Sequence, residues 1–184
     1  MSIINEAIIF ATEAHLNQTR RVSKKPYILH LCEAGAIAAR LTNDDEVIAA
    51  AFLHDILEDT YIQENELIEK FGTRITNLVK SNTDEKNKSW IERKQRRIDT
   101  LKHANKDEEI ICLSDKLANL RSLYQETVDE KDKVWDYFNE KDKTLQGWFF
   151  KSISDNIKYL RNTHEYREFC YYIDIIWNKD NMGD

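Results

Sequence analysis

The chain predicts an all-α fold in a single domain, and three observations carry that prediction. Proline occurs once and glycine four times in 184 residues, and neither Asn-Gly nor Asp-Gly, the dipeptides of tight β-hairpins, is found. Apolar residues recur at helical spacing through stretches rich in Glu, Lys, Leu, Ala and Ile, residues that tolerate or favour the helix. One core suffices at this length, because a chain of about this size buries roughly 70% of its unfolded surface.

Ser2 is placed to cap a first helix running to about Leu16, with Ile3, Ala7, Phe10, Ala11 and Ala14 as its buried stripe. Residues 17–25 form a polar, strongly basic loop, and Pro26 opens a second helix that carries His30 and runs to about Leu41. Thr42, Asn43 and Asp44 restart the chain as a cap for the next helix, read as continuous from Ala49 through Thr60. A short helix near 63–71 stops at Gly72, and another covers roughly 73–82. Ser89 caps a basic helix from Trp90 to about His103, Asp107 begins the helix of Asp115, and two or three more fill 130–178. Residues 1–178 are expected to form the domain and 179–184 a polar tail.

The net charge of −6 argues against non-specific nucleic-acid binding, which needs a basic surface, so no nucleic-acid partner is expected. No apolar run is long enough to span a bilayer and no secretory signal pattern is seen, so neither membrane association nor export is expected. Cys32, Cys112 and Cys170 are odd in number and far apart, which suits small core residues of a reduced, cytoplasmic protein. The aromatic group Tyr166, Phe169, Tyr171, Tyr172 and Trp177 reads as core or as the contact of a homo-oligomer.

Chemistry concentrates in His30, His54, Asp55 and Asp115, whose order H…HD…D can wrap one divalent cation. On a continuous helix His54, Asp55, Glu58 and Asp59 fall within an arc of roughly 140°, so one element presents ligands and acid/base groups together. The apolar run Val47 to Leu53 leads straight into these ionisable residues, and charges at the end of a buried helix require partners or a metal. Asp115 repeats the pattern between Ile110–Leu113 and Leu117, with Asn119 and Ser122 on its face. Mixed imidazole and carboxylate donors suit manganese, iron or zinc better than calcium or magnesium. His15, His103 and His164 lie outside this spacing and read as structural. Arg20, Arg21, Lys24 and Lys25 precede His30, and such a cluster suits phosphate groups. Arg93, Lys94, Arg96 and Arg97 read equally as a solvated face or as anion contacts.

These stretches resemble the HD-domain hydrolases of the RelA/SpoT homologue group, specifically the stand-alone small alarmone hydrolases. The likeness runs over about residues 5–125: Ala11 to Arg21, Pro26 to His30, Ala50 to Thr60, Phe71-Gly72 with Leu78-Val79, Glu92 to Gln95, and Leu113 to Arg121. Trp135 to Asn139 and Gln146 to Phe150 match more loosely. The resemblance implies an HD-domain helical bundle and manganese-dependent removal of the 3′-pyrophosphate from (p)ppGpp, leaving GDP or GTP. It implies a metal held by His30, His54, Asp55 and Asp115, with Glu58 and Asp59 acting on the attacking water. Arg20, Arg21, Asn119 and Ser122 would contact the nucleotide. Asn17 stands where the group usually has glycine, Leu31 where it has proline, and the loop Val22 to Lys25 lacks the glycine common there. These departures touch the substrate wall, so two alternatives stay open. One is a related HD phosphohydrolase acting on another small phosphorylated nucleotide such as NADPH, and the other is a binding domain without catalysis.

Overall fold

A computed structural model describes residues 1–85 and 87–177; the polar tail expected at 179–184 lies outside them. The described residues form α1 (Ile3–Ala14), α2 (Ile28–Leu41), α3 (Asp45–Phe52), α4 (Ile56–Asp59), α5 (Glu64–Ser81), α6 (Trp90–Leu101) and α7 (Lys106–Glu130). A 3-10 helix (Lys131–Tyr137) leads to α8 (Lys143–Asn156) and α9 (His164–Trp177). The all-helical expectation holds, and no strand is formed among the described residues beyond one isolated bridge, Thr19 to Pro26. No helix among them is long and apolar enough to cross a membrane.

The caps explain the boundaries. Ser2, Asp44, Ser89 and Asn105 each accept a backbone amide of the following turn, satisfying donors that the helix itself cannot. Ser89 and Asn105 do so as reciprocal capping boxes with Glu92 and Glu108, which places the start of α7 at Lys106, one residue before the expected Asp107. Gly72 divides α5 as expected: its φ of 80° and ψ of 167° lie where a side chain is strained, and the axis bends there.

Two expectations need correction. Pro26 does not open α2, because it pairs with Thr19 while the Tyr27 amide is spent on the Gln18 carbonyl (2.9 Å). The basic loop is therefore strapped at its base, further closed by Arg20 N to Lys25 O at 2.8 Å, and Lys24 takes a left-handed φ of 58° at the turn. The segment 49–60 is not one helix. The carbonyl of Ala51, which the amide of residue 55 would take in a continuing helix, accepts instead from His54 Nδ1 at 2.7 Å. The chain turns through Leu53 to Asp55 and resumes as α4, with Asp59 N donating to Asp55 O at 2.8 Å.

The core lies where α2, α3 and α7 meet, filled by Leu31, Ile37, Leu53, Ile56, Ile111, Leu113, Leu117 and Leu120, all at most 2% exposed. Phe169 of α9, also fully buried, extends it toward α8. A methyl group at Gly35 would run into the Phe52 ring, so this glycine sets how closely α2 and α3 approach. These two elements lead to His30 and His54. We expect Gly35→Ala to cost about 1–3 kcal/mol through overpacking, read as a lowered urea midpoint. An unchanged midpoint would mean that α2 and α3 are free to separate.

Candidate metal centre and nucleotide cavity

His30 lies in the first turn of α2, His54 in the turn after α3 and Asp115 midway along α7, so three separate elements converge on one point. His30, His54 and Asp115 are buried, and one ligand atom of each lies within 4.8 Å of the others. The Nε2 atoms of the two rings face each other at 3.2 Å, and each is 3.5 Å from Asp115 Oδ1. Asp55 Oδ2 borders the group at 3.0 Å from His54 Nε2 and 3.6 Å from His30 Nε2, and the Tyr27 hydroxyl donates to it at 2.7 Å.

The donor chemistry fits a divalent cation. A carbonyl can only accept, so His54 Nδ1 carries its proton toward Ala51, which leaves Nε2 as the nitrogen that faces the cluster and is free to bind a proton or a cation. His30 Nδ1 is buried without a hydrogen-bond partner among the described residues, so nothing there fixes its tautomer. Burial works against charge on His54, yet the Asp55 and Asp115 carboxylates outweigh it and raise its affinity for a proton. Burial likewise opposes the charge on both carboxylates. His54 outweighs it at Asp55, and Lys116 with His54 does so at Asp115, holding both well below the usual carboxylate range. The cluster attracts positive charge, and it offers the imidazole and carboxylate ligands of a transition-metal site.

Asp55 and Asp115 open onto a cavity of about 530 Å³. Its lining includes six Lys or Arg side chains and seven carboxylates, so a divalent cation tips the formal balance to positive. One wall is a connected polar network. Asn82 donates to Asp115 Oδ2 at 3.1 Å and accepts from the buried Arg97, which also bonds Asp84 at 2.7 Å. Lys94 pairs with Asp84 at 2.8 Å, and Lys116 with Asp115 at 2.6 Å; both ammonium groups lie over the Phe149 ring. Burial pushes the Asp84 carboxyl up, but Arg97 and Lys94 together bring it down to about 2. The Asp84 amide donates to Glu58 Oε2 at 3.0 Å. Glu58 is half-buried, and that burial raises its carboxyl despite the amide. Asp59 is exposed and receives the Tyr27 hydroxyl at 3.4 Å, while its backbone carbonyl accepts from Gln18 at 2.7 Å.

On the opposite wall Arg20 donates to Asn119 Oδ1 at 3.0 Å and lies over the Tyr27 ring. Asn119 in turn donates to Asp115 Oδ1 at 2.5 Å. Arg21 reaches Asn139 at 2.6 Å, tying the basic loop to the segment after the 3-10 helix. The cavity thus gathers Asp55, Asp115, Glu58, Asp59, Arg20, Arg21 and Asn119, with His30 and His54 buried at its floor. Ser122 is half-buried and is not among the lining residues; Glu126, one turn further along α7, is. The 93–97 cluster divides: Arg93, Lys94 and Arg97 face the cavity, whereas Arg96 pairs with Glu85 on another face. Sequence reasoning missed Tyr27, Asn82, Asp84, Lys116 and Glu126. Of these, only Glu126 carried a periodic signal, standing three helical turns from Asp115.

A profile of the HD domain family matches residues 7–142, and the chain belongs to this family. It is similar to the Xenopus tropicalis guanosine-3′,5′-bis(diphosphate) 3′-pyrophosphohydrolase MESH1, with 33% identity over 151 residues, 79% of this chain and 84% of that protein. The human MESH1 protein is 32% identical over 147 residues, covering 77% of this chain and 82% of its own. Among solved structures, a metazoan ortholog of SpoT that hydrolyses ppGpp and plays a role in starvation responses superposes with a TM-score of 0.78 at 26% identity. That match covers 98% of this chain and 97% of the other.

Removing one member of a buried ion pair strands the other, so Arg97→Met is expected to cost about 3–5 kcal/mol. It should also raise the Asp84 carboxyl from about 2 toward its ordinary value near ~3.9. A depressed carboxylate stabilises the fold above its unfolded pKa and loses that contribution as pH falls through its folded value. The deficit of the variant should therefore narrow from about pH 5 to about pH 3 in denaturant titrations. A deficit constant over that interval would remove Asp84 as the partner that matters.

Proposed function

We propose that this protein is a manganese-dependent hydrolase that removes the 3′-pyrophosphate of (p)ppGpp, leaving GDP or GTP. The observation that carries the reading is the convergence of His30, His54 and Asp115 beneath a cavity walled by Arg20, Arg21, Arg93, Lys94, Arg97 and Lys116. The activity borne in the names of its MESH1 relatives supports the same reaction. In this reading His30, His54, Asp55 and Asp115 hold the metal, and the domain operates in the cytoplasm. A divalent cation there supplies Lewis acidity toward a phosphoryl oxygen and the attacking water.

The residues of the chain do the rest. Glu58 is the better general base, since burial brings its carboxyl toward neutrality and the Asp84 amide fixes one oxygen, leaving the other for a water proton. Asp59, exposed and held beside Tyr27, orients that water. The water oxygen bonds to the 3′-linked phosphorus as the P–O3′ bond breaks, and the proton taken up by Glu58 matches the one that O3′ requires. Lys94, Arg97 and Lys116 offset charge developing on the phosphoryl oxygens, and Arg20, Arg21 and Asn119 hold the nucleotide. Ser122 takes part in this proposal only through an adjustment of α7, since it does not line the cavity.

His54→Ala and Asp115→Ala should lose both manganese and hydrolysis while keeping helical circular dichroism; normal metal content with normal turnover in either would remove the site. Glu58→Gln should retain metal and lower kcat by about two to four decades, with Asp59→Asn less affected. Equal, near-normal turnover in both variants would exclude Glu58 as base. Chromatography of products decides the reaction: pyrophosphate with GDP is expected from ppGpp, whereas orthophosphate release or a preference for NADPH points to a different phosphohydrolase.

A further inference from the structure

We infer that Glu126 determines base specificity, its carboxylate accepting hydrogen bonds from the N1–H and N2–H groups of guanine at the end of the cavity remote from the metal ligands. The inference rests on the reaction proposed above and names the part of the substrate that a residue without an assigned role would recognise. Asp115 and Glu126 both belong to α7 and both line the cavity. Eleven residues separate them, which is close to three helical turns, so they share a face at about 16 Å of axial rise. The Glu side chain leans back toward the N-terminus of its helix, shortening that span. Asn119 lies between them with Arg20 bound to it. The cavity is therefore lined along one helix face by Asp115, a proposed metal ligand, and by the carboxylate of Glu126 about three turns further on.

That carboxylate is the wrong sign for a phosphate-rich ligand. Glu126 is 8% exposed, and its carboxyl is raised by burial, which Arg20 and the Ser23 amide only partly offset. A carboxylate has about four lone-pair directions, so one amide leaves acceptor capacity facing the cavity. Phosphates cannot use it; a ligand edge made of donors can. Guanine offers two adjacent N–H groups on its pairing edge, which suit the two oxygens of one carboxylate. Adenine offers one donor beside a ring-nitrogen lone pair, which a carboxylate repels. The alternative is that Glu126 anchors the basic loop through Ser23, a role that would affect every nucleotide alike.

Glu126→Gln separates the two. Glutamine keeps an acceptor for the Ser23 amide but exchanges one acceptor for a donor, matching adenine instead of guanine. Steady-state hydrolysis of ppGpp and of its adenosine counterpart is measured for the manganese-loaded wild type and the variant. The wild type should prefer guanosine by about tenfold to hundredfold, and the variant should lose that preference through a higher KM for ppGpp. Equal losses on both nucleotides, or no preference in the wild type, would overturn the assignment while leaving the proposed reaction standing. A wild type that hydrolyses neither would overturn both.

Discussion

The Nε2 atoms of His30 and His54 face one another at 3.2 Å with two carboxylates beside them, and the helices are arranged around that crowding. Neither ring has appreciable contact with solvent. Two carboxylates in such a place need positive charge beside them, because an unpaired buried charge costs several kcal/mol, and Lys116 supplies part of it at Asp115. A proton can serve, and the raised proton affinity of His54 expresses that demand. A divalent cation would meet it more completely, since one ligand atom each of His30, His54 and Asp115 lies within 4.8 Å of the others. The close approach at Gly35 lets α2 and α3 bring the rings together, and α7 delivers Asp115 from the third side.

The same requirement spreads outward. Asp115 is held by Asn82, Asn82 by Arg97, Arg97 by Asp84, and the Asp84 amide by Glu58. One network therefore supports both a candidate ligand and the candidate base, so a shift at either is felt at the other. Lys94 and Lys116 both lie over the Phe149 ring beside it, which keeps two ammonium groups at the cavity wall next to Asp84 and Asp115. Across the cavity the strapped loop performs the complementary task. Its backbone bonds from Arg20 to Lys25 and from Tyr27 to Gln18 hold Arg20 against Asn119. Arg21 meanwhile fastens the loop to Asn139. A loop without glycine is thus given a defined shape by pairing at its base.

Much of this was legible in the sequence where the cause is local. Ser2, Asp44 and Ser89 cap their helices because a short oxygen-bearing side chain satisfies amides within three residues, and Gly72 marks the bend because only glycine sits comfortably there. The H…HD…D order was readable because ionisable residues interrupt apolar runs. What escaped depends on contacts distant in sequence. Asn82 and Asp115 are 33 positions apart, Arg97 and Asp84 13, and polar residues in a loop give no sign of such partners. Lys116 points about 100° away from Asp115 on a helical wheel, yet its long stem returns the ammonium group to that carboxylate. The break at His54 escaped for another reason: a ring nitrogen competes with the backbone for the Ala51 carbonyl, and helical periodicity contains no information about that competition.

The most direct test of the account is anomalous diffraction from crystals grown with manganese, with data collected on both sides of the manganese absorption edge. A single strong peak within coordination distance of His30 Nε2, His54 Nε2 and an Asp115 carboxylate oxygen is the result expected from the proposed manganese site. A manganese peak elsewhere on the molecule, with the two rings still facing each other, would contradict it.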